Sequence, residues 1–204
     1  RGEPAYYTRT TRSSRHEQRG GAAWTWVSGV VLLYVIFWNG SLSVGESAGN
    51  LMFVAGTEVS TTAHLMLLFV FAGVFIYDFL YKSALASNVR VITIVSFVLI
   101  GVVIYLMQHV AMFDYRAFNI HLGALFGTIM AFNVWFRIWP AQQSIITSIK
   151  NGEAPDGDLL ALAGLRSKHN TYLSVPLIWT MINQHTTYFA GGNIGIPSEF
   201  SWLV

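Results

Sequence analysis

Cysteine is absent from this chain. That excludes disulfides, thiolate-held metal sites and the covalent attachment of c-type haem. Charge is nearly as scarce: Asp, Glu, Lys and Arg make up 11% of the 204 residues, against about a quarter in an average soluble domain. So few charges cannot solvate a chain that is 53% hydrophobic. An ordinary soluble domain is excluded, and the composition is that of a polytopic membrane protein. The net charge of +2 gives no basic footprint for nucleic acid. There is no internal repeat and no low-complexity tract, and no apolar run sits behind a short basic head as a signal peptide would. Aromatic residues, by contrast, are plentiful: 7 Trp, 9 Tyr and 14 Phe. Trp24, Trp26, Trp38, Trp135, Trp139 and Trp202 fall near the ends of apolar runs, as an interfacial belt would.

The pattern predicts an all-α transmembrane helix bundle. Residues 1–21 form a polar segment with Arg1, Arg9, Arg12, Arg15 and Arg19, and 22–204 form the helical membrane domain. Five apolar runs, at about 22–39, 62–80, 91–113, 118–139 and 170–190, each approach the roughly 20 residues that cross about 30 Å of hydrocarbon. Lipid leaves such runs no alternative to helix but a closed barrel. Residues 40–60 are rich in Gly and Ser and read as irregular. DYRA at 114–117 reads as a tight hairpin, and Pro140 should end the fourth span, with 141–150 as a surface helix. Asp158 should cap a short helix that leads into Arg166.

Basic residues then sort by side. Those five Arg, Lys82, Arg90, Arg137, Lys150, Arg166 and Lys168 fall on one side, and Arg116 alone falls on the other. The positive-inside rule makes the first side cytoplasmic. It predicts that the N-terminus is inside, in the cytoplasm, and the C-terminus outside.

On that map four histidines share the periplasmic side: His64, His109, His121 and His185. His109 precedes Tyr115 by six residues and His121 follows it by six, which predicts matching depth on two antiparallel helices. His169 is sixteen residues from His185, about 24 Å along a helix, so these two cannot share a site. Imidazole ligates haem iron, copper and zinc. Two facing helices with histidines at one depth would seat haem b, or a copper or iron ion. The residues leave a second reading open, in which interfacial histidines hydrogen-bond water and headgroups. No spacing among them is a specific metal motif.

Asp78 stands one turn from Lys82, which predicts an ion pair rather than a proton path. Gly123, Gly127 and Ala131 form a small-residue stripe that predicts close helix packing. Pro176 should kink the fifth helix. Glu46, Glu58, Asp114 and Glu199 read as solvated outer-side charges, any one of which could serve as a base.

Three stretches carry a family resemblance: AAWTWVSGVVLLYV (22–35), IHLGALFGTIMAFNVWFRIWPAQQSII (120–146) and NGEAPDGDLLALAGLRSKHNTYLSVPLIWTMINQH (151–185). Together they resemble the membrane domain of the bacterial membrane-bound urate oxidase (urate hydroxylase) family. The resemblance implies a multi-helical domain that precedes a periplasmic cytochrome c domain. It also implies an oxidoreductase that oxidises urate and passes electrons to cytochrome c. Motif by motif it carries over His121, Arg166, His169, Asn170 and His185, without assigning each a chemical role. The family's cytochrome c domain is not within these 204 residues, which hold no Cys, and the family's additional upstream spans and final span are not matched. The chain is then either part of a longer protein or a reduced relative. The alternative function is a non-catalytic subunit of a larger respiratory or photosynthetic assembly, with other membrane subunits as partners. A transporter is disfavoured, because no inverted repeat is evident and the spans carry almost no charge.

Overall fold

The computed structural model describes residues 20–38 and 61–185. The Arg-rich segment up to residue 19, the linker at 40–60, Trp202 and the end of the fifth span at 186–190 lie outside the described residues. Five helices follow in order: α1, Gly20–Trp38; α2, Thr61–Leu80; α3, Val89–Val110; α4, Tyr115–Lys150; and α5, Gly157–Asn183. The all-α class is as the sequence predicts. The first four are long and apolar enough to cross a membrane. α5 has the length, with 27 residues, but its first half carries Asp158, Arg166, Lys168 and His169.

Local chemistry sets the ends. Asn88 adopts an extended backbone and its side-chain oxygen accepts from the N–H groups of Arg90 and Val91, capping α3 two residues ahead of the expected start. At α5 the cap is Asp156 rather than Asp158. Asp156 Oδ1 accepts from the Asp158 N–H at 2.8 Å, while Asp158 sits in the first turn, where the helix dipole favours a negative charge. The predicted short helix and the fifth span are one continuous rod, and Pro176 lies inside it without ending it.

Pro140 does not end α4 either. A π turn at Val134–Ile138 comes immediately before, and the helix resumes at Trp139 with proline in its first turn. The widened turn accommodates a residue that has no N–H to give and whose ring would crowd an ordinary turn. The hairpin between α3 and α4 lies at 111–114, three residues before the expected DYRA. Met112 adopts φ 57° there, a left-handed conformation that non-glycine residues take only at a cost.

Burial departs from that of a soluble protein. Leu68, Phe75 and Phe79 of α2 and Ile94 and Val98 of α3 face outward. Asp78, Asn119, His121, Asn133, Arg166 and Asn183 are buried. Hydrocarbon around the helices accounts for that pattern, because lipid rewards apolar surface and drives polar groups inward. Asp78 takes the predicted partner, Lys82, at 2.8 Å.

Contacts divide the chain into two compact units. Of the described residues, the first holds 20–30 and 130–172, and the second holds 31–38, 61–129 and 173–185.

Candidate functional site

The second unit contains the most constrained histidine. His121 lies on α4, six residues after Tyr115, and is fully buried. Its Nδ1 is 2.7 Å from the carbonyl oxygen of Ala117. A carbonyl only accepts, so Nδ1 carries the hydrogen and Nε2 carries the lone pair. That lone pair accepts from the indole N–H of Trp38 at 3.0 Å. Both ring nitrogens are therefore engaged and one tautomer is fixed.

Aromatic rings wall the imidazole. Phe113 lies 4.6 Å away between centroids, Trp38 6.0 Å and Phe37 6.2 Å, edge-on. His64 packs against the same indole at 5.1 Å. Trp38 thus links two of the four predicted histidines. Sequence reading places Trp38 in an interfacial belt; the sign that it does more is its position in a π turn, Tyr34–Trp38, a feature frequent at functional sites.

The other two predicted histidines lie at helix ends. His109 is exposed, sits in a second π turn, Leu106–Val110, and packs on Tyr105 at 4.6 Å. The expected equal depth with His121 does not hold. With the hairpin at 111–114, His109 is one residue from the end of α3 and His121 is six residues into α4. Five residues of difference are about 7.5 Å along a helix. His185 is exposed just past the end of α5, where its N–H donates to Ile182. Among the described residues, no group of three or more His, Cys, Asp or Glu is arranged to hold a metal ion.

The first unit holds the remaining motif positions. Asn133 Nδ2 donates to Asn170 Oδ1 at 2.9 Å, and Asn170 Nδ2 donates to the carbonyl of Met130 at 3.0 Å. These bonds clamp α4 to α5. Asn133, fully buried here, escaped sequence reading, although an amide in an apolar run is a visible signal. Arg166, one turn before Asn170, is buried to 1% exposure. His169 lies ahead of the apolar stretch of α5. Burial first, and then the charge of Arg166, push its imidazole down to about 4, so it is neutral at pH 7. At the other end of the helix pair, Gln184 Nε2 donates to the carbonyl of Arg116 at 3.0 Å. The amides at the two ends of α5 are interhelical ties, as the sequence suggested.

One face of the predicted glycine stripe is a close approach. A Cβ at Gly123 would stand 2.6 Å from Thr180 Oγ1, whereas one at Gly127 would meet nothing within 4 Å.

No curated protein and no solved structure matches the chain. A family model described as "Urate oxidase N-terminal" matches residues 17–203. That match takes in every described helix, with the buried His121 and the Asn133–Asn170 clamp among them, and the chain therefore belongs to the urate oxidase N-terminal family.

Proposed function

We propose that the chain is an integral-membrane redox module that takes part in urate oxidation and delivers electrons to a periplasmic cytochrome c. The observation that carries this reading is His121: a buried imidazole, walled by aromatics, in a chain of this family. Its Nδ1 is committed to Ala117, so any iron or copper bound to it takes Nε2. His64, against the same indole, would supply the second imidazole, and His109 and His185 are the other histidines read on the outer side. The residues fit haem b, or a copper or iron ion, on one condition: Trp38 must give up its bond to Nε2. Such a group would supply one-electron transfer. The chain's own residues hold the imidazole tautomer, exclude water with Phe37, Phe113 and Trp38, and keep the helices in register.

The basic residues orient the module in a bacterial inner membrane, with the 81–88 turn and the 150–157 turn in the cytoplasm and the 111–114 turn in the periplasm. The second reading, a non-catalytic subunit, is favoured by α1, whose span window is only 6% buried and so leaves a face for lipid or another subunit.

Urate-dependent reduction of soluble ferric cytochrome c by membranes holding the chain tests the reading. His121→Ala should lower the rate by more than about a hundredfold, beyond the range seen for an outer-shell partner of a metal. An unchanged rate in His121→Ala contradicts the redox role. Activity only when other subunits are present, indifferent to both His64→Ala and His121→Ala, supports the second reading instead.

A further inference from the structure

We propose that Trp38 is the positioning residue of His121. Its indole N–H caps the Nε2 lone pair of an imidazole whose Nδ1–H the Ala117 carbonyl holds, and withholds Nε2 from iron or copper until the indole withdraws. The metal half of this inference rests on the redox reading above; the tautomer half does not.

Three observations converge on Trp38. The bond from its Nε1 to His121 Nε2 is 3.0 Å, and an indole N–H can only donate, so the bond is made only while Nε2 is bare. Nδ1 is held by Ala117 at 2.7 Å, so the ring cannot offer its other nitrogen without breaking a buried bond. Trp38 also packs on His64 at 5.1 Å, so the side chain that occupies the lone pair of one imidazole lies against the ring of the other. A displacement of the indole would free Nε2 of His121 beside His64. Trp38 closes the π turn that ends α1, Tyr34–Trp38, a feature frequent at functional sites. The bond to Ala117 would also serve a bound state: an imidazole with Nδ1–H anchored to a backbone carbonyl is already in the orientation and tautomer that a metal ligand needs.

Phenylalanine removes the donor and keeps an aromatic ring beside Phe113 and His64. The test uses the full chain in detergent or nanodiscs, with ring-labelled histidine followed by nitrogen NMR. In the wild type, His121 should give one protonated Nδ1 and one hydrogen-bonded bare Nε2. In Trp38→Phe the Nε2 resonance should move to the position of a free acceptor while Nδ1 stays. Titration with cupric ion alone is the second measurement. One hydrogen bond of ordinary net strength corresponds to about tenfold in an equilibrium constant, so Trp38→Phe should bind Cu²⁺ about tenfold more tightly, and adding His121→Ala should abolish the gain.

The wild-type spectrum decides the matter even if the variant fails to fold: a protonated Nε2, or both nitrogens protonated, overturns the proposal. So does a Trp38→Phe spectrum identical to the wild type. If the tautomer is as stated and Cu²⁺ affinity is unchanged, withholding of the nitrogen is refuted. If the purified protein carries neither iron nor copper while the resonances behave as described, the redox reading fails and the positioning role stands.

Discussion

Burial, with both ring nitrogens hydrogen-bonded, marks His121. Sequence reading groups it with His64, His109 and His185 because counting spans assigns all four to the outer side. What it could not read was burial: His121 is enclosed, while His64, His109 and His185 are exposed. Side of the membrane follows from counting spans, whereas burial depends on which helix faces which. The same limit applies to the amides. The Asn133–Asn170–Met130 chain predicts that Asn170→Ala lowers stability in detergent by about 1 kcal/mol, the scale of interhelical hydrogen bonds in membrane proteins. Combined with Asn133→Ala it should cost less than the two singly, because both remove one shared bond. Additive losses in thermal unfolding would show that the clamp is not cooperative. The Asp78–Lys82 pair was legible, since i,i+4 spacing is visible in the string. Lys82→Met should lower the unfolding temperature by leaving the Asp78 carboxylate without its ammonium, and Asp78→Asn in the same chain should recover most of the loss. A double variant no better than Lys82→Met would remove the pair from the account.

The number and order of helices were legible because apolar runs of span length leave the backbone one solution. Their ends were less so. The hairpin falls three residues early because Ala111 and Phe113 satisfy their N–H groups on Leu106 and Met107, so the chain turns before the polar DYRA. Proline at 140 misled because a π turn absorbs it, and a π turn leaves no mark in the hydropathy pattern. The glycine stripe was half right. Gly123 meets Thr180, whose hydroxyl is already committed to Leu177, so Gly123→Ala should destabilise by about 1–3 kcal/mol and Thr180→Ala should relieve it. Gly127 faces open space, so Gly127→Ala should be neutral or gain up to about 1 kcal/mol from helix propensity. Equal losses at the two positions in a thermal-shift assay would contradict the assigned packing. Gly73, which would meet Leu125 at 2.7 Å, carried no such signal, because its neighbour is 52 residues away in sequence.

Membrane residence follows from apolar side chains turned outward and Arg166, Asn133 and His121 turned inward. The proposed orientation rests on charge placement alone. Since the chain has no Cys, single cysteines report on it against a blank background. In intact cells an impermeant maleimide should label Asp114→Cys and spare Ser87→Cys and Asn151→Cys; the opposite pattern would invert the topology and move the histidines to the cytoplasmic side. The most direct test of the redox assignment is a reduced-minus-oxidised optical spectrum of the purified chain, taken with iron and copper analysis. The account predicts a redox-active band with stoichiometric metal, lost in His121→Ala. A flat difference spectrum from folded protein free of both metals would contradict it.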